Sequence, residues 1–284
     1  MGEPVVGAVL DDAHALLEDA AADATELGRW TADEPLRLSK GPLAWLLRCP
    51  RRALIGPELS GGPSNLDDLA IGLIVDATAK LAVLSPRQPI DVDNALAFLA
   101  ASGDETLQQH LDDLGPQAAA GLLAEAGARV DRLLADWPTI DPGWWPRVEE
   151  PVRVRLAEGA VVVSGRLDLL LGGPPTDRPG LVVEVKSGRW HDGVRADAHL
   201  YALLVGLRDD VAPAAVLTVA AREGETQLEP IRPAVLIHAA ERVAVALQTA
   251  ATIAAGEPPA ACPGSYCAHC PLLAECPEAK AVAA

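Results

Sequence analysis

Two short stretches of this chain carry the residues best able to do chemistry. Gly165-Arg166-Leu167-Asp168 and, after a turn, Val183-Glu184-Val185-Lys186 bring two carboxylates and one ammonium into a single neighbourhood. Side chains two apart on a strand share a face. In the run Leu181 to Lys186, Glu184 and Lys186 therefore point together while Leu181, Val183 and Val185 pack behind them. Val161 to Leu171 reads as a second strand with Asp168 near its end, and the Gly- and Pro-rich run between Gly172 and Gly180 is short enough to make the two strands antiparallel neighbours. Asp168 then arrives beside Glu184. Two hard oxygen ligands suit magnesium or manganese, with the Val185 carbonyl as a further candidate ligand. A nearby lysine can orient a metal-bound water or offset charge developing on a scissile phosphate. An isolated Glu-x-Lys on a strand is ordinarily a solvated pair, so the weight rests on the Asp, the turn and the Glu-x-Lys together.

The elements that must hold these residues follow from periodicity and breakers. Residues 1 to 38 read as an acidic, Ala-rich helical segment, after which Ser39-Lys40-Gly41-Pro42 introduces a short helix carrying Trp45 and Cys49. Residues 65 to 137 read as helical. The clearest piece places Leu122, Leu123, Ala126, Val130, Leu133, Leu134 and Trp137 on one face at 3.6-residue spacing. From 151 to 229 strands alternate with one helix at about 192 to 207, including a strand at Ala214 to Val219 and a short one near Gln227. A last helix, roughly 234 to 255, ends where Gly256-Glu257-Pro258-Pro259 breaks it. The pattern predicts an α/β (α+β) fold, a mixed sheet flanked by helices.

A second constellation closes the chain. Cys267, Cys270 and Cys276 form a Cys-x2-Cys-x5-Cys run, and three thiolates from one loop call for a fourth ligand. Cys262 would complete a wholly local four-cysteine site, for which zinc is the natural metal. Cys49, in Leu47-Arg48-Cys49-Pro50, is the distant alternative. Disulfides fit poorly with five cysteines and no secretory segment.

Composition sets limits. The 284 residues, half of them apolar, can bury a sizeable core. No apolar run approaches the about 20 residues needed to span a bilayer, and Met1 to Asp12 lacks a basic region, so a cytoplasmic protein without membrane attachment is expected. The net charge of -17 argues against a surface that grips nucleic acid broadly. Positive charge must then be local, and Arg153, Arg155, Arg166, Arg189 and Arg195 do gather in sequence around the Asp and Glu-x-Lys, as Arg48, Arg51 and Arg52 gather around Cys49. Lys186 is one of only four lysines. No phosphate-binding loop of the Gly-x4-Gly-Lys-Ser/Thr kind occurs, so any ATP-driven unwinding would come from another chain. Trp190 could stack a base, and His191 and His199 could assist proton transfer, although packing serves Trp190 better and ordinary polar roles serve the two histidines better.

Asp168, the turn, Glu184-x-Lys186, the preceding Gly165-Arg166-Leu167 and the following Ser187-Gly188 together resemble the PD-(D/E)XK nuclease superfamily, and more narrowly its RecB-like exonuclease branch. The resemblance implies a restriction-endonuclease-like mixed sheet in one domain, 1 to 284. Within it, 1 to 140 is mainly helical, 148 to 255 the nuclease core and 256 to 284 the cysteine segment. It makes Asp168 and Glu184 metal ligands and Lys186 the catalytic lysine. Glu149-Glu150-Pro151-Val152 resembles the acidic start of the family's first core strand, and Asp197 stands where the family has a Gln four residues before Tyr201. Ile71 to Asp76 resembles the family's Gly-x-x-x-His helix, with Asp76 in place of the liganding His. Members with a C-terminal 4Fe-4S cluster use one early Cys-Pro and three late cysteines, which selects Cys49 with Cys267, Cys270 and Cys276, leaves Cys262 spare and keeps zinc as the alternative. The implied activity is metal-dependent hydrolysis of DNA, an exonuclease on single-stranded ends in repair, recombination or defence. Arg166, Arg195 and Tyr201 would contact substrate, and a helicase or other subunit is a possible partner. The alternative is a RecB-like iron–sulfur module that binds DNA or protein without cutting.

Overall fold

The computed structural model describes residues 7–53, 66–85, 90–103 and 105–279. The acidic first segment forms helix α1 (Ala8–Gly28), whose stripe Leu10, Ala13, Leu17, Ala21 and Ala24 is buried against the long helix α9 (Pro233–Ala254). The expected continuous helix to residue 38 is a correction. Arg29 turns into the left-handed region (φ 60°), α1 stops at Gly28, and Leu36–Ser39 is a strand, β1. Four residues are too few to show a strand period, and pairing with a neighbouring strand decides their conformation. Residues 1–6 lie outside the described residues.

Helix α2 (Lys40–Arg48) follows β1 directly, ending at Cys49, and α3 (Pro50–Ala53) adds one turn. The helical stretch expected over 65 to 137 is four helices: α4 (Leu66–Leu84), α5 (Val92–Ala101), α6 (Thr106–Leu114) and α7 (Pro116–Ala135). Then come β2 (Arg147–Leu156), β3 (Val161–Leu171), β4 (Leu181–Lys186), α8 (Asp192–Asp209), β5 (Ala215–Ala220) and β6 (Glu225–Pro230) before α9. The anticipated β3–β4 hairpin is antiparallel, and the whole is a mixed six-stranded sheet with helices on both faces. One core joins α1, α2, α8 and α9 to one face, and a second joins α4 to α7 to the other. Helix α9 is long and apolar enough to cross a membrane, yet its stripe Leu236, Ala240, Val243 and Leu247 is buried in the first core.

The sheet has a fork that matters for everything below. Strand β2 pairs antiparallel with β3 over Val161 to Leu170, taking one whole edge of β3. The other edge is shared: β1 runs parallel to Val161–Ser164, and β4 runs antiparallel to Leu169–Leu171. The C-terminal ends of β1 and β4 thus converge head-on beside Gly165 to Asp168. At that point the alternation slips by one residue. Leu167 belongs to the first core but Leu169 to the second, and on the partner strand Val152 and Val148 divide in the same way. The slip falls on Asp168 and on Glu149, which the register places opposite it and which has φ 55°, a conformation that strains any residue with a Cβ. Gly165 is required here for another reason: a Cβ on it would lie 2.4 Å from the Tyr201 ring of α8.

A candidate metal centre at the sheet fork

Because both flanking strands stop at the fork, side chains from both helical layers reach it. Asp168 turns its carboxylate along the sheet and accepts a hydrogen bond from the Val185 backbone N–H (2.7 Å), standing in for a ladder bond. Asp76, from α4 in one layer, and Glu149, from β2, bring carboxylate oxygens that lie with an Asp168 oxygen within 4.8 Å of one another. Lys80, one turn after Asp76, bridges Asp76 (2.5 Å) and Glu149 (2.8 Å), and Arg166 closes on Glu149 from outside (2.8 Å).

Glu184 sits on the other side of the fork and is fully buried. Its Oε1 accepts from Lys40 Nζ at 2.9 Å and from Lys186, while Oε2 has no partner among the described residues. Lys40 is wedged between Glu184, Asp197 of α8 (3.9 Å) and the Tyr201 ring (5.3 Å). A buried carboxylate oxygen without a donor is costly unless something cationic completes it, and the three oxygens of Asp76, Glu149 and Asp168 are hard donors of the kind Mg and Mn select. The donor set fits a divalent ion, with Asp168, Asp76, Glu149 and Glu184 as the residues available to hold it.

The electrostatics agree with this. Burial first, and then the negative charge of Glu184, raise the Asp168 carboxyl to about 7. Burial likewise raises Asp76 against the pull of Lys80, and raises Asp197 against that of Lys40. Burial lowers Lys40, but Glu184 and Asp197 outweigh it and the net shift is upward. Tyr201 is raised, chiefly by burial.

The fork brings together Asp168, Glu184, Lys186 and Asp76, all expected from sequence. Tyr201 lies directly beneath, 2% exposed, packed on Gly165. Arg195 is placed elsewhere: its guanidinium grips Glu229 at 2.6 and 2.7 Å, and Glu229 also holds His199 (3.0 Å) and is depressed to about 2, mainly by Arg195. Arg189 pairs with Glu223. His191 caps α8, accepting from the Gly193 N–H, and Trp190 is half-buried nearby.

Sequence reasoning missed Lys40, Lys80 and the place of Glu149 in the acidic cluster. Lys40 carried a readable signal, because a cation in the first turn of a helix opposes the helix dipole and so calls for an outside partner. It also missed Arg129, 4% exposed in α7, which donates to the Ser187 carbonyl (3.0 Å) and to Glu125 (2.9 Å), tying the segment after Lys186 to the second layer.

The cysteines converge as well. Cys49, Cys262, Cys267, Cys270 and Cys276 line one small cavity with Arg51, Arg52 and Tyr266; all five are free thiols, and Cys49, Cys267 and Cys276 are buried. The Gly264 N–H donates to Cys267 Sγ (3.3 Å), and Arg51 lies 3.7 Å from Cys276 Sγ. Thiol sulfur is a donor for iron–sulfur clusters and for zinc alike, so the set fits either.

A mixed sheet wrapped by helices, forked at an acidic centre with a lysine at its rim, defines a metal-dependent phosphodiesterase. The chain matches the family model of the PD-(D/E)XK nuclease superfamily over residues 37–277 and belongs to that superfamily. No curated protein matches it. Among solved structures, the crystal structure of SSO0001 is similar over 93% of this chain and 95% of that one, at 14% identity and a TM-score of 0.36.

The raised Asp168 fixes the sign of two pH effects. Between its ordinary 3.8 and about 7, the metal-free folded chain holds a proton that the unfolded chain releases, so stability falls as pH rises through that window. A divalent ion must displace the same proton, so its apparent affinity rises by up to about tenfold per pH unit toward 7 and then levels. Calorimetric titration with Mn from pH 5.5 to 8.5 checks this; a pH-independent affinity contradicts it.

Proposed function

We propose that this chain is an exonuclease that hydrolyses single-stranded DNA from its ends. The observation that carries the reading is the fully buried Glu184, with one oxygen held by Lys40 and Lys186 and the other unpartnered, beside an Asp168 whose carboxyl titrates near 7. A bound Mg or Mn ion supplies an activated water and offsets charge developing on the phosphate. The residues do the rest. Asp168 releases its proton as it takes up a ligand role. Lys186, whose side chain is about a quarter exposed and whose ammonium contacts Glu184, orients the attacking water. Lys40 is a positioning residue that holds the Glu184 carboxylate in one rotamer. Arg166 lies at the rim, where exchanging Glu149 for a phosphate oxygen would clamp the strand.

A second reading has its own support. Lys40, Lys80 and Lys186 already neutralise much of the acidic cluster, as a binding module that does not cut would require. The two readings part on activity. With end-labelled single-stranded DNA and Mn, wild type should release short products, and Lys186→Ala should lose activity about a hundredfold or more while still binding Mn. A fully active Lys186→Ala removes the role of that lysine, and an inactive wild type that binds DNA favours the binding module.

For the cysteines we propose a structural 4Fe-4S cluster held by Cys49, Cys267, Cys270 and Cys276. It would fasten α2 to the last segment and close a loop of more than two hundred residues. The five free cysteines leave thiolates available to such a cluster. Protein purified without oxygen should be brown and contain iron and sulfide, and Cys49→Ala should lose both. A colourless protein with one zinc contradicts the cluster.

A further inference from the structure

Beside the fork the sheet has a face on which, among the described residues, no helix packs extensively, although Val162 at its centre is itself buried beneath its neighbours. The helices packed most closely on β1 and on Pro151 to Leu156 of β2 are α1, α2 and α8, all in the first layer, while Val148 and Glu149 at the other end of β2 meet the second layer. On that side Leu38, Val152, Val154, Leu156, Val161 and Val163 are buried. Their alternates point the other way: Arg37 and Ser39 from β1, Val162, Ser164 and Arg166 from β3, Pro151, Arg153 and Arg155 from β2. The register aligns them in rows. Arg37 and Arg155 flank Val162, Ser39 and Arg153 flank Ser164, and Arg166 stands beside Pro151, two residues from Asp168. Arg37 and Arg155 are two strand spacings, about 10 Å, apart, and the run from Val162 to Asp168 covers about 20 Å.

Three features mark this face as a binding surface. These eight positions hold four arginines and no carboxylate, in a chain of net charge -17. Arg37, Arg153 and Arg155 are exposed and form no salt bridge among the described residues, whereas Arg189 and Arg195 are each paired with a glutamate. The rows also lead straight to the acidic centre. Exposed arginines kept unpaired in so acidic a chain suit an extended polyanion, since guanidinium recognises phosphate oxygens and unpaired charge contributes most to nucleic-acid affinity.

The geometry points to the Arg37–Arg153–Arg155 face as the track along which a single strand of DNA lies by its phosphate backbone on its way to the fork. This inference rests on the nuclease reading above and specifies its substrate path. Because the contacts are to phosphate, the track carries no sequence preference. It also gives a strongly acidic protein a place to hold DNA: four arginines and no carboxylate stand together on one half-sheet.

The test uses the full chain and the variant Arg37→Gln/Arg153→Gln/Arg155→Gln, all exposed positions. Binding of a fluorescent 20-nucleotide strand, a length of about 20 chosen to exceed the track, is followed by anisotropy across a NaCl series in chelator. Hydrolysis of the small diester bis(4-nitrophenyl) phosphate with Mn is measured alongside. The triple variant should bind about tenfold more weakly or worse, with a salt slope lower by roughly 2, since each lost phosphate contact removes about 0.7 for single strands. Its hydrolysis of the small diester, too short to touch the arginines, should match wild type. Unchanged DNA affinity and slope in the variant, or no DNA binding by wild type, overturns the track. If wild type binds DNA but leaves the diester intact, the nuclease reading fails while the slope still decides the surface.

Discussion

A carboxylate cannot stay ionised in a protein interior without cations or donors around it, and this requirement at Glu184 organises the centre of the molecule. Glu184 is fully buried where two strands meet end to end. Lys40 reaches it because α2 begins immediately after the last residue of β1, and Lys186 because it lies two residues on along the same strand face. Removing either partner leaves a buried charge short of compensation, a change that costs about 3–5 kcal/mol in measured buried pairs. The fork is therefore a structural joint: the start of α2, β4 and α8 are registered on one another through the Glu184, Lys40 and Asp197 contacts.

Charge is distributed with the same logic over the whole chain. Three of the four lysines, Lys40, Lys80 and Lys186, stand at the fork, leaving arginine to provide nearly all other positive charge. Lysine is the fitting residue at a centre that must rearrange, since its compact ammonium moves between partners, while arginine's fixed fork suits lasting phosphate or carboxylate contacts. Lys80 between Asp76 and Glu149 holds together two carboxylates that would otherwise repel. An ion held beside them would take over part of that task, while burial and the charge of Glu184 raise the Asp168 carboxyl toward neutrality.

Much of this was legible in the residues. The alternation from Leu181 to Lys186, the Gly- and Pro-rich turn and the strand ending near Asp168 defined the hairpin, and the order of strands and helices defined a mixed sheet between helical layers. The site residues that came from that hairpin were found because their relation is local, set by a period of two and a short loop. Lys40, Lys80 and Glu149 were not, because each enters through tertiary contact. Lys40 opens α2 directly after a four-residue strand too short to show its period. Glu149 acquires its role from a left-handed backbone that slips the alternation, which no propensity encodes. The arginines divided similarly. Five clustered in sequence, yet Arg189 and Arg195 fold onto glutamates, and Arg37, remote in sequence, joins Arg153 and Arg155 through parallel pairing of β1.

The central claim is that the sheet fork assembles a divalent-metal site from Asp168, Asp76, Glu149 and Glu184. Its most direct test is a crystal of the full chain soaked in Mn, with an anomalous difference map calculated at the manganese edge. The account predicts a strong peak at the fork, within bonding distance of an Asp168 carboxylate oxygen and at least one of the other three carboxylates. A fork without a peak, while Mn appears elsewhere on the molecule or nowhere, would contradict it.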